Sequence, residues 1–163
     1  MTPEEPIINK SEGIPLGIRI ATETDATEIA LVLRTARQHN LPYLPELHTS
    51  EEDLGYIKEK VLKEDQVVVA ADESGKVVGF CAFKDGWIDH LYILPEYQGK
   101  GIGKSLLDRA KDNNSKLELW TFQKNTDAIK FYEKNGFVQA ETTDGSANEE
   151  KEPDARYVWE KEQ

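Results

Sequence analysis

The nine residues Tyr97–Ser105, YQGKGIGKS, place three glycines, two lysines and a serine between two different periodicities. Before them WIDHLYIL (Trp87–Leu94) reads as a strand. After them Ile102, Leu106, Leu107 and Ala110 fall on one face of a helix. A strand that turns through glycines into a helix aims successive backbone N–H groups and the positive helix end at one spot, which suits a phosphate. The chain must therefore build an α/β layer with this turn at the carboxyl end of a strand. Spacing decides which phosphate it fits.

A nucleoside-triphosphate loop needs Gly, four residues, then Gly-Lys-Ser/Thr. Gly103, Lys104 and Ser105 supply its end, but the first glycine would fall at position 98, which is Gln98. No later strand ends in an Asp for magnesium, since KLELWTF runs out at Phe122 and Gln123. A dinucleotide fingerprint, Gly-x-Gly-x-x-Gly, fails as well. From Gly99 the chain reads Gly-x-Gly-x-Gly, and that motif belongs to the first strand of a βαβ unit.

At 163 residues the chain can bury roughly 70% of the surface its unfolded form exposes. Residues 1–16 hold three of the seven prolines and little periodicity, so a flexible arm is expected there and a single domain over 17–163. GIRIAT reads as the first strand. Thr24 is expected to cap a helix carrying Ile29, Leu33 and Ala36, and HNLPYLPELHT is a loop. Ser50 is expected to cap a second helix, with Asp53 in the capping-box place and Leu54, Ile57, Val61 and Leu62 as its apolar stripe. QVVVAAD and KVVGFCAF form a hairpin, KLELWTF is a strand, and TDAIKFYEKNGF is a helix stopped by Gly136. FVQAETT and RYVWEK finish as strands.

The lone Cys81, inside VVGFCAF, reads as a small buried hydrophobe in a reducing compartment. No apolar run is long enough to span a membrane and the first residues lack a signal pattern, so a soluble cytoplasmic protein without a membrane partner is expected. A formal net charge of -11 argues against nucleic-acid binding and favours a small cationic substrate. His48 and His90 show no ligand spacing, so no metal is expected.

Gln98-x-x-Gly101-x-Gly103, behind a strand ending Leu-Tyr-Ile-Leu-Pro, resembles the acetyl-CoA pyrophosphate loop of the GCN5-related N-acetyltransferases (GNAT superfamily). Its partner motif is N-x-x-x-x-x-F-Y-E-K-N-G-F at Asn125 to Phe137, and the resemblance runs from about Gly17 to Trp159. The resemblance implies a mixed, mostly antiparallel sheet of about seven strands flanked by about four helices. It implies acetyl-CoA as acetyl donor and a small-molecule or peptide amine as acceptor. Cofactor contacts would come from Leu91, Tyr92 and Ile93 on the strand, from Gln98, Gly99, Lys100, Gly101, Ile102, Gly103 and Lys104 in the loop, and from Asn125. Tyr132 stands in the place of the family's general acid; a buried core tyrosine is the competing reading, since Ala128, Phe131 and Tyr132 share a helical face.

The reaction also needs a base, because an ammonium of pKa about 10.4 costs roughly 4.6 kcal/mol to deprotonate at about pH 7. Asp89 and His90 interrupt an apolar strand, and neighbouring strand residues point to opposite faces. Asp89 shares parity with Leu91 and Ile93 and ranks first, acting directly or through water; His90 has the better intrinsic pKa. Glu46, His48, Glu149, Glu150 and Asp154, in two loops, are the candidates for holding a cationic acceptor. The tail strands leave room for a homodimer. A non-catalytic acyl-CoA-binding module is the rival function.

Overall fold

Runs of β-branched residues make Gln66–Ala71 (β2) and Val77–Lys84 (β3) two inner strands of the sheet in the computed structural model, which describes residues 17–162. The arm expected over residues 1–16 lies outside them. Gly17–Ile20 (β1) flanks β2, and Trp87–Ile93 (β4) flanks β3, all antiparallel. Lys116–Phe122 (β5), Val138–Thr142 (β6) and Asp154–Glu160 (β7) complete a seven-stranded sheet in the order β1-β2-β3-β4-β5-β7-β6. The mostly antiparallel sheet expected from the motifs is the one observed.

Strand β3 is buried on both faces, which is why it reads as a continuous apolar run. Helix α1 (Ala26–Asn40) covers one face with Ile29, Val32, Leu33 and Ala36. Helix α4 (Ile102–Asp112) covers the other with Ile102, Leu106, Leu107 and Ala110. Each Ile, Leu or Val among them contributes about 1.5–3 kcal/mol by leaving water. Helix α5 (Thr126–Lys134) packs its Tyr132 into the same core, and Gly136, at φ 92°, takes the left-handed turn after it.

Both expected helix caps shift. The first helix is preceded by a 3-10 turn at Glu23–Asp25, so Thr22, not Thr24, stands at its start, and the Thr22 N–H donates to Asp25 at 2.8 Å. Asp25 is also held by two 2.8 Å bonds from Arg19. Helix α2 (Ser50–Tyr56) is capped by Thr49, not Ser50: Glu52 N–H donates to the Thr49 hydroxyl, and Thr49 N–H donates to Glu52. Thr49-x-x-Glu52 and Ser50-x-x-Asp53 both spell a capping box, and Arg34 decides between them by taking Asp53 at 2.9 Å. Helix α2 runs on through a π turn at Ile57–Val61 into Leu62–Glu64 (α3), so the helical segments form four rods. The π turn keeps Ile57 and Val61 both buried.

One feature of the sheet prepares a site. Strands β4 and β5 run parallel and share a single registered pair, Trp87 with Glu118, while β5 stays paired with β7 along its whole length. The sheet splits at its middle.

Candidate active site

The split is pinned at one end, where Glu118 N–H donates to Gly86 O at 2.8 Å. Beyond it β4 keeps its register with β3 up to Gly79 and Ile93. Alternate backbone groups of an antiparallel strand point away from its partner, so those of β4 face the gap. An open strand edge of this kind can bind an extended chain.

The glycine turn closes the carboxyl end of β4. The Gln98 amide donates to Ile93 O at 2.9 Å, tying the start of the turn to the end of the strand. Gly99 and Gly101 have φ of 76° and 84° on either side of Lys100, a conformation other residues adopt at a cost. Gly103 serves packing: a Cβ there would lie 3.2 Å from the Phe131 ring, so its absence lets α5 seat against the start of α4. Lys104 pairs with Asp108 at 2.9 Å, and Ile102 is a core side chain with only its backbone in the turn.

Asn125 caps α5, its Oδ1 accepting from Ala128 N–H at 3.3 Å. About two turns into the same helix, Tyr132 is 8% exposed and lies edge-on between Phe131 and Phe137, with ring centres 5.3 and 5.5 Å away. Burial pushes its phenol up, so it stays protonated. Its hydroxyl makes no hydrogen bond among the described residues.

On β4, a bulge opposite Ala82 and Phe83 leaves Asp89 without a partner on β3 and breaks the simple alternation on which its orientation was read. Its carboxylate meets Asp65, just before β2; burial and then Asp89 push Asp65 up to about 7. His90 bonds the Tyr56 hydroxyl at 2.8 Å among the rings of Tyr56, Phe80 and Tyr92. Burial pushes its imidazole down to about 4, so it is neutral near pH 7 and a weaker base than its reference value suggests.

A pocket of about 340 Å³ opens between α1, the α1–α2 loop and the β6–β7 loop, and Glu46, His48, Glu149 and Glu150 all line it. Asp154 does not: it accepts from the Thr143 hydroxyl and the Asn148 amide and shapes the loop instead. Nor are the lining acids free to hold a cation. Glu150 takes Arg37 at 3.1 Å, Glu149 takes His48 at 2.8 Å, and Arg34 stands 3.7 Å from Glu46. The sequence reading missed Arg34, Arg37, Tyr56 and Asp65. Arg34 and Arg37, one turn apart on α1 and just ahead of the loop, were the available signal; for Asp65 there was none.

Comparison with known proteins agrees with this geometry. The acetyltransferase (GNAT) domain family matches residues 63–139. An uncharacterised N-acetyltransferase of Archaeoglobus fulgidus is 30% identical along an alignment of 102 positions that covers 52% of this chain and 69% of that protein. The peptidyl-lysine N-acetyltransferase YiaC of Escherichia coli is 34% identical over 67 residues, 40% of this chain and 46% of YiaC, so the chain spans about half of YiaC's length. The crystal structure of the PaiA N-acetyltransferase from Thermoplasma acidophilum, in complex with coenzyme A, matches with a TM-score of 0.71 at 24% identity, covering 89% of this chain and 98% of that one. By its glycine turn, its split sheet and these relatives, the chain belongs to the GNAT acetyltransferase family.

Proposed function

We propose that the chain is an acetyl-CoA-dependent N-acetyltransferase that passes the acetyl group directly to a primary amine, on a small molecule or a peptide. The observation that carries this reading is the parting of β4 from β5 directly beside the glycine turn. The residues present fit the donor: Gln98 to Lys104 offer backbone N–H groups and the α4 N-terminus to a diphosphate, and the free edge of β4 offers Leu91 to Ile93 to the extended arm. Lys100 and Lys104 bring positive charge to a chain of net charge -11. Asn125, with its oxygen used as a cap, has its amide N–H left for the same ligand.

Attack by a neutral amine forms the C–N bond and breaks the C–S bond. The backbone N–H of Ile93, which the register turns away from β3, meets the carbonyl oxygen as charge builds on it, while that of Tyr92 faces β3. The proton for the departing thiolate comes from Tyr132. The proton from the amine goes, through water, past Asp89 to Asp65, which is raised to about 7 and suits that task better than the neutral His90 does. Cys81 is fully buried with its thiol pushed up, which supports direct transfer over an acyl-enzyme.

Thiol release from acetyl-CoA in the presence of a panel of primary amines tests the proposal. Amine-dependent release is expected. Tight acetyl-CoA binding without release on any amine would favour an acyl-CoA-binding module instead.

A further inference from the structure

Three loops meet at the carboxyl end of β5, beside the open end of the gap. The α1–α2 loop brings Tyr43, the turn between β5 and α5 brings Lys124, and the β6–β7 loop brings Glu152. Lys124 Nζ stands 3.5 Å from Glu152 Oε2 and 5.3 Å from the centre of the Tyr43 ring, over its face. Glu152 Oε2 and the Tyr43 hydroxyl are both buried without a hydrogen bond among the described residues. Buried oxygens in that condition are rare and costly, and each calls for a ligand that completes it. Lys124 approaches without completing either one, and its side chain is 63% exposed against 14% for Glu152, so its ammonium is free to swing into solvent.

What stands there now is itself a primary ammonium, set against a carboxylate and over an aromatic face, the two groups that recognise such a cation. The acids of the neighbouring pocket are already matched by Arg34, Arg37 and His48, which leaves Glu152 as the acid whose partner can be displaced. The geometry points to a subsite for a second ammonium group of the acceptor, with Glu152 and Tyr43 as its ligands and Lys124 as the internal ammonium that leaves when the acceptor arrives. The inference rests on the acetyltransferase reading: the amine to be acetylated lies in the β4–β5 gap and the second one at Glu152. The enzyme then selects α,ω-diamines and their longer relatives over monoamines.

Calorimetric titration of the full chain, saturated with CoA, with diaminobutane and with butylamine tests this without requiring turnover. The wild type is expected to bind the diamine about tenfold or more tighter, the worth of one charge-assisted contact. Glu152→Gln should abolish that preference and Tyr43→Phe reduce it, while Lys124→Met, which removes the competing ammonium, should tighten the diamine severalfold and leave butylamine alone. Equal binding of the two amines, or an unchanged preference in Glu152→Gln, would overturn the subsite. Should Glu152→Gln fail to fold, Lys124→Met decides: unchanged diamine affinity counts against the inference. Thiol release separates the two levels. Turnover of both amines without a diamine preference defeats the subsite alone, whereas Glu152-dependent diamine binding with no turnover defeats the acetyltransferase reading.

Discussion

Tyr132 is both a core side chain and the proposed acid, and a single oxygen distinguishes the two roles. Tyr132→Phe keeps the ring contacts with Phe131 and Phe137 and removes only the hydroxyl. Turnover should fall by about a hundredfold with acetyl-CoA affinity unchanged, the size of one general acid; equal losses in both would make Tyr132 a wall of the site. Two other residues leave opposite marks on stability. Asp65, raised from 3.8 to about 7, holds a proton that the unfolded chain has released, so its contribution is complete below its unfolded pKa and lost as pH rises through about 7. His90, lowered from 6.5 to about 4, stays neutral where the unfolded chain is charged, so its contribution is present above 6.5 and lost as pH falls through about 4. The slopes oppose each other between the two carboxylate and imidazole reference values, and single variants separate them. Asp65→Asn should melt above the wild type at about pH 8 and lose that advantage at about pH 4. Thermal melts at both would show it, and identical curves for the two proteins would mean that Asp65 titrates as an ordinary surface carboxylate.

Among the elements, the glycine turn and the two pocket loops make separable predictions. Gly101→Ala forces a Cβ into φ 84° and should cost about 1–2 kcal/mol in urea unfolding, weakening CoA binding as well. The α1–α2 and β6–β7 loops are joined by His48 to Glu149, and Glu149 holds the His48 imidazole above its usual range. His48→Ala should therefore raise the acceptor KM while leaving acetyl-CoA affinity alone; parallel losses in both would place the loops at the donor. The same elements show what the sequence made legible. The β2–β3 hairpin, the turn from β4 into α4 and the stop of α5 at Gly136 rest on local chemistry, β-branching and left-handed glycines, and all were readable. The caps of the first two helices were not: Thr49 and Ser50 open the same motif in two frames, Thr22 and Thr24 both offer a hydroxyl, and distant Arg34 and Arg19 choose by holding Asp53 and Asp25. Local periodicity carries no trace of the π turn. Asp65 and Asp89 lie far apart in the chain and meet only through the β2–β3–β4 register, and the pocket acids were visible without the arginines that neutralise them.

At the scale of the whole molecule, a sheet cut between β4 and β5 gives up ladder hydrogen bonds that a continuous sheet would keep, and a ligand lying in the cut restores them. Binding should therefore stabilise the entire fold, because both halves of the sheet hold the same ligand. A chain of net charge -11 would not gather polyanions indiscriminately, so the stabilisation should follow the shape of the turn and not phosphate content alone. The most direct test is thermal unfolding with acetyl-CoA, CoA and ATP–magnesium side by side. Acetyl-CoA and CoA at about a hundred times their Kd should raise the midpoint by about 5 °C or more, and ATP–magnesium should leave it where it was. No shift with either CoA species at saturation, or an equal shift with ATP–magnesium, would contradict the assignment of the YQGKGIGKS turn to the pyrophosphate of an acetyl donor.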